Sequence, residues 1–245
     1  MCSVGTCKFS EQGGSITMKR RFLNFITNFY RNLTQQNNYN NEDIFQDAEF
    51  EEFEMQFGRW RPESVERIVS KSRFTKEEVK RMYQTYKQSY PTGLVSKRDF
   101  SKTLEEFFPV GDVTEYSSIL FGAMDVYGKG EINFEDILKV LSIILRGSTT
   151  EQLNWLFSIY DIDKDGVISN EELLYMIHSV YILSNKNLDD QEEKNKVLQE
   201  NHAKRCLAEL DLNSNGIISK AEFVESCTNN QNIRLSLKNL QLNAF

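Results

Sequence analysis

From Phe74 onward the chain alternates apolar residues at helical spacing with short polar loops, each built around a glycine. Val79, Met82, Tyr83 and Tyr86 recur at three- and four-residue intervals and predict one face of a helix. Thr75 and Glu78 stand at its start, three residues apart, and predict a capping box. Leu153, Leu156, Phe157 and Tyr160 predict a later helix before a loop, and Leu173, Met176 and Ile177 one after it. Leu207 and Leu210 precede a further loop and Phe223 follows it. The loop glycines Gly93, Gly130, Gly166 and Gly216 are separated by 37, 36 and 50 residues. Such recurrence predicts an all-α chain with four helix–loop–helix repeats.

The first sixty residues follow another pattern. Residues 17–31 hold Lys19, Arg20, Arg21 and Arg31 without an acid, with Phe22, Phe25, Ile26, Phe29 and Leu33 at helical spacing. Two readings stand level: a helix on an anionic membrane, or a terminal helix packed on its own domain. Residues 28–41 contain six Asn and two Gln and suit a linker. Residues 42–54 contain seven acids and no base, interleaved with Ile44, Phe45, Phe50 and Phe53. The expected organisation is a variable, partly disordered region over 1–60, a first pair of repeats over 61–145 and a second over 146–245.

Composition narrows the function classes. The 245 residues carry a formal charge of −7, which argues against a general nucleic-acid binder. Three prolines disfavour a turn-rich β fold. Four cysteines without a CxxC pair and two histidines give neither a zinc spacing nor a disulfide framework, so a reducing, cytoplasmic setting is expected. No run of 18 apolar residues predicts a membrane span, and the N-terminus lacks the apolar core of a signal peptide. His178 and His202 lie within helical patterns, no glycine-rich phosphate loop is present, and no catalytic residue is assigned.

The last two loops carry recognisable chemistry. Residues 161–172 place Asp161, Asp163 and Asp165 at alternate positions, then Gly166, Val167, Ser169 and Glu172. This is the calcium loop of an EF-hand. A hard cation needing six to eight oxygens would take the three aspartates, the Val167 carbonyl, a water on Ser169 and both oxygens of Glu172. Residues 211–222 repeat the arrangement with Asp211, Asn213, Asn215, Ile217, Ser219 and Glu222. Ile168 is expected to join the two loops in a short two-stranded ladder. The third ligand set holds four carboxylates and the fourth two, so attraction for a divalent ion is expected to be larger at the third.

The first two loops lack this set. Residues 88–99 offer Gln88, Tyr90 and Pro91 where oxygens are needed. Residues 125–136 keep Asp125 and Gly130 but carry Tyr127 and Lys129 at ligand positions, and end on Asp136, one methylene shorter than Glu. The first is read as structural; the second is read as structural or as a weak magnesium site. Two calcium ions per chain are expected.

The chain resembles the neuronal calcium sensors through Leu138–Gly147 and the run from Trp155 to Gly166. Trp60-Arg-Pro-Glu, Phe74-Thr-Lys-Glu-Glu, Phe107-Phe-Pro-Val-Gly-Asp112, Glu225-Ser-Cys227 and Asn232–Leu237 place the resemblance closest to the potassium-channel-interacting proteins, over about Trp60–Leu240. Residues 184–201 depart from that family's linker and lack its proline. The resemblance implies four EF-hands in two paired lobes, calcium in the last two loops, and regulation of an A-type voltage-gated potassium channel through its cytoplasmic N-terminal segment. An apolar groove would take that segment as an amphipathic helix. Candidate groove residues from the first two repeats are Phe100, Leu104, Phe107, Phe108, Tyr116, Leu120, Phe121, Phe134, Ile137 and Leu141. Leu156, Tyr160 and Leu174 are the candidates from the third. The C-terminal stripe Leu235, Leu237, Leu240 and Leu242 is a candidate occupant of the empty groove. Position 2 is Cys rather than Gly, which removes a myristoylation signal and leaves Cys2 and Cys7 as candidate lipidation sites at the inner face of the plasma membrane. The alternatives are a calcium buffer and a calcium-dependent transcriptional regulator.

Overall fold

The computed structural model describes Tyr30 and residues 65–109, 111–184 and 192–230. The proposed lipidation sites, the basic stretch apart from Tyr30, the acidic tract, Trp60 and its neighbours, and the C-terminal leucine stripe lie outside these residues. The described residues form α1 (Val65–Lys71), α2 (Lys76–Ser89), β1 (Leu94–Ser96), α3 (Lys97–Phe107), α4 (Thr114–Met124), β2 (Glu131–Asn133) and α5 (Phe134–Arg146). They continue with α6 (Thr149–Tyr160), β3 (Val167–Ile168), α7 (Asn170–Ser184), α8 (Glu192–Leu210), β4 (Ile218–Ser219) and α9 (Lys220–Asn229). The fold is all-α, with EF-hands paired through two small antiparallel ladders. None of the described helices is long and apolar enough to cross a membrane.

Local sequence explains where the helices begin. Thr75 Oγ1 accepts the Glu78 amide at 3.3 Å, and Glu78 Oε2 accepts the Thr75 amide at 2.7 Å, completing the expected capping box. Asn133 with Asp136, Ser148 with Glu151 and Ser219 with Glu222 make the same exchange at α5, α6 and α9. Each exchange satisfies amides that the first helical turn leaves without partners.

The ladders join the loops in pairs. Val95 faces Ile132 in one and Ile168 faces Ile218 in the other. All four are at most 1% exposed. Burying a side chain of this size contributes roughly 1.5–3 kcal/mol, so each ladder is pinned by its aliphatic pair more than by its few hydrogen bonds. Aromatic contacts then join helices around the ladders. Tyr83 and Tyr86 of α2 pack on Phe134 of α5, with centroids 5.0 and 5.3 Å apart. Phe157 of α6 meets Phe223 of α9 at 5.7 Å.

The two pairs also touch. α4 packs on α6 and α7, and the Asp112 amide donates to the Ile182 carbonyl at 3.2 Å. Gly111 makes this approach feasible: a Cβ there would lie 1.7 Å from the Leu183 carbonyl oxygen. That contact gives a physical role to the glycine of the Phe-Phe-Pro-Val-Gly-Asp run.

Candidate metal centres

The third loop is shaped by its own acids. Asp161 Oδ2 accepts the Gly166 amide at 3.2 Å, Asp163 Oδ1 the Asp165 amide at 3.1 Å, and Asp165 Oδ1 the Val167 amide at 2.9 Å. These bonds curl the backbone until one carboxylate oxygen from each aspartate lies within 4.8 Å of the others. Glu172 reaches back from α7. Its Oε1 accepts the Ile162 amide at 2.8 Å and the Asp163 amide at 3.3 Å, while Oε2 accepts both the amide and the hydroxyl of Ser169 at 2.8 Å. The carboxylate therefore already bridges the two ends of the loop.

The electrostatics are asymmetric. Burial pushes the Asp161 carboxyl up, and the negative charges of Glu172, Asp165 and Asp163 push in the same direction. Asp161 Oδ1 is buried without a hydrogen-bond partner. A buried acceptor in that state retains its desolvation cost. Burial also pushes Glu172 up, but donation from the Ser169 amide and hydroxyl and from the Asp163 and Ile162 amides outweighs it and holds the carboxyl below the usual range.

The fourth loop copies the geometry with fewer charges. Asp211 Oδ2 accepts the Gly216 amide at 2.8 Å, Asn213 Oδ1 the Asn215 amide at 3.0 Å, and Asn215 Oδ1 the Ile217 amide at 3.0 Å. Glu222 Oε1 takes the Asn213 side-chain amide at 2.7 Å, and Oε2 takes the Ser219 amide at 2.9 Å and hydroxyl at 2.6 Å. The Ser219 hydroxyl, followed by its amide, holds the Glu222 carboxyl below its ordinary value.

The first two loops are organised by other means. In the second, Asp125 accepts the Lys129 and Gly130 amides at 2.9 and 2.7 Å, as the first residue of a metal loop would. Asp136, however, bonds only locally: its carboxylate accepts the Asn133 amide at 3.1 Å. It does not span the loop as Glu172 does. Tyr127 is 76% exposed and stacks under the Lys129 ammonium rather than facing the loop centre. In the first loop, the Tyr86 hydroxyl donates to the Gly93 carbonyl at 2.8 Å, and Tyr90 and Thr103 share a hydroxyl bond of 2.6 Å. The Lys87 ammonium, on a fully buried side chain, reaches the Pro91 carbonyl at 3.4 Å.

Backbone conformation adds a distinction that ligand counting misses. The fourth loop position has positive φ in three loops: 62° at Gly128, 65° at Lys164 and 59° at Ser214. The equivalent residue in the first loop is Pro91, whose ring locks φ near −65°. The first loop is thus barred from the shared backbone path as well as short of oxygens. Its sixth position, Gly93, still turns left-handed at 74°.

The expected groove residues divide by burial. Phe100, Leu104, Phe108, Tyr116, Leu120, Phe121, Phe134, Ile137 and Leu141 lie in the core, none more than 8% exposed. They do not line an open face in this structure. Phe107, Leu156, Tyr160 and Leu174 are half-buried and pack against that core. One contact had no local signal in the sequence: Lys164 Nζ donates to the Asp125 carbonyl at 3.2 Å, joining the second loop to the third across 39 residues.

Comparison with known families agrees with this geometry. Residues 150–228 match the family model of an EF-hand domain pair, and residues 118–177 match a second model with the same description. The first match spans both loops with complete ligand sets. The second spans the second and third loops. The matched domains imply calcium binding and are typically non-enzymatic.

Proposed function

We propose that the chain is a calcium sensor that loads two ions, in the third and fourth loops, and regulates a membrane protein by holding an apolar helix of it. The observation that carries the metal reading is the third loop. Three aspartate oxygens converge within 4.8 Å beside a buried, unpartnered Asp161 oxygen, with Glu172 drawn over them. A calcium ion would give that oxygen a partner and relieve the repulsion among the acids. Asp161, Asp163, Asp165, the Val167 carbonyl, Ser169 through water and Glu172 would hold it. Asp211, Asn213, Asn215, the Ile217 carbonyl, Ser219 and Glu222 would hold the second. Bound calcium supplies charge neutralisation and a fixed link between each loop and its exiting helix.

The partner reading rests on the resemblance to potassium-channel-interacting proteins. The occupant would be the cytoplasmic N-terminal helix of an A-type voltage-gated potassium channel, met at the inner face of the plasma membrane. Phe107, Leu156, Tyr160 and Leu174 are the candidate contacts whose side chains retain exposed surface. The nine buried candidates would reach a partner only if what covers them moves aside. That closed core favours the calcium buffer as the second reading.

Calorimetric titration of metal-free protein tests both levels. Two calcium ions per chain are expected; three or four would overturn the site assignment. The channel helix is then added with calcium or chelator present. Binding that weakens on changing Phe107 and Leu174 to Ser supports the sensor. Refusal of the helix in both metal states leaves the buffer. Leu104 and Phe108 are unsuitable for that test, because a polar side chain there would disrupt the core itself.

A further inference from the structure

Two arginines meet near the turn before α2, and one of them, Arg73, crosses between the EF-hand pairs. The Arg73 amide donates to Ser142 Oγ on α5 at 3.0 Å, and its Nη2 donates to Glu151 Oε1 on α6 at 2.7 Å. Arg146, the last residue of α5, sends Nη1 to Glu78 Oε2 at 3.0 Å and Nη2 to Glu78 Oε1. Glu78 and Glu151 are also the third residues of capping boxes. Each carboxylate therefore fixes a helix start and a remote arginine together. Only Gly147 and Ser148 separate α5 from α6. The Arg73–Glu151 bond consequently clamps the hinge between the first pair and the second, while the Arg146–Glu78 bonds hold α5 on α2 within the first pair.

A side chain from the N-terminal region is seated on this clamp. Tyr30 is 6% exposed, and its ring stacks on Phe74 with centroids 5.9 Å apart and planes at 23°. Its hydroxyl donates a long bond of 3.5 Å to Glu78 Oε1. The Arg146 guanidinium lies 4.5 Å from the Phe74 ring centroid. Phe74 and Glu78 come from the start of the first hand and Arg146 from the end of the second. All three belong to the first pair, and Arg73, next to Phe74 in the chain, carries the bond to Glu151 of the second.

We infer that Phe74, Glu78 and Arg146 form a docking socket for the chain's own N-terminal segment, anchored by Tyr30, and that seating the segment is linked to closure of the hinge between the EF-hand pairs. Linkage is reciprocal: whatever opens the clamp weakens the dock, and a seated Tyr30 favours the closed clamp. The anchor thereby decides whether the stretch containing Lys19, Arg20, Arg21 and Arg31 is tethered to the first pair. Stacking carries most of the contact, since the hydroxyl bond is long.

Native-state proteolysis of the full chain tests this. Release of Tyr30 is expected to expose the bond after Arg31 to trypsin. Tyr30→Ala is expected to speed that cut by about tenfold, and Tyr30→Phe by no more than about twofold. Arg73→Gln and Glu151→Gln alter the clamp without touching Tyr30, and each is expected to speed the same cut by about threefold or more. Glu151→Gln retains a capping side chain, so unchanged circular dichroism keeps the comparison on folded protein. An unchanged rate in Tyr30→Ala overturns the dock. A faster cut in Tyr30→Ala with no change in both clamp variants overturns the linkage.

Discussion

The first and second EF-hand pairs share a ladder, a buried aliphatic pair and a common order of helices, yet their loops are held in different ways. In the second pair, a terminal glutamate crosses each loop and gathers amides from both ends. In the first pair, Asp136 stops at its own helix cap, and the tyrosines around residues 86–90 bind loop carbonyls and hydroxyls directly. The third loop leaves a buried Asp161 oxygen without a partner, whereas Tyr86 and Thr103, from the flanking helices, bond the Gly93 carbonyl and the Tyr90 hydroxyl of the first. The difference is spread over several positions: Gln88, Tyr90 and Pro91 in the first loop, and Tyr127, Lys129 and the shorter Asp136 in the second.

The largest expected effect comes from equivalent substitutions at the twelfth position. Glu172→Gln should remove one calcium ion from the stoichiometry, while Asp136→Asn should leave the count unchanged. Calorimetric titration of both variants checks this. A loss of calcium in Asp136→Asn would erase the contrast between the pairs.

A proline exchange addresses the backbone. Lys164→Pro places the first loop's ring at a residue with φ 65°, a conformation closed to proline. Strain of order 1–3 kcal/mol should weaken the third site by about one to two orders of magnitude. Pro91→Lys should create no site, because Gln88 and Tyr90 still supply no carboxylate. The two titrations separate backbone path from ligand supply.

The smallest effect concerns the acid behaviour of the clamp between the pairs. Glu151 is held down to about 2, first by the Arg73 side chain and then by the Ser148 amide. Burial pushes Glu78 up, but Arg146 and the Thr75 amide hold it below its ordinary value. A depressed carboxyl adds stability above its unfolded value and loses that contribution as pH falls through its folded value. The stability difference between the parent chain and Glu151→Gln should therefore be full above pH 4.5 and shrink toward zero near pH 2. Exposure and salt screening make it small. Denaturant titrations across that range check it, and a difference that grows on acidification would reverse the sign.

The helix–loop–helix repeats, the Thr75–Glu78 cap, the Ile168 ladder and the oxygen-rich spacing at 161–172 and 211–222 were legible in the order of residues alone. These are relations among residues within one loop or one helical turn, where spacing dictates geometry. Burial was less legible. Phe100, Leu104 and Phe108 satisfy the same periodicity whether they face a core or a groove, and only their burial in the folded chain decides between them. The left-handed Lys164 had no compositional signal, since lysine does not advertise positive φ. Least legible were the crossed pairs of Arg73 with Glu151 and Arg146 with Glu78, 78 and 68 residues apart, and the Tyr30 contact, 48 residues from Glu78. Such partners are chosen by packing: helices must first associate through their apolar faces before distant charges meet. Tertiary structure alone therefore decided how the two pairs are joined.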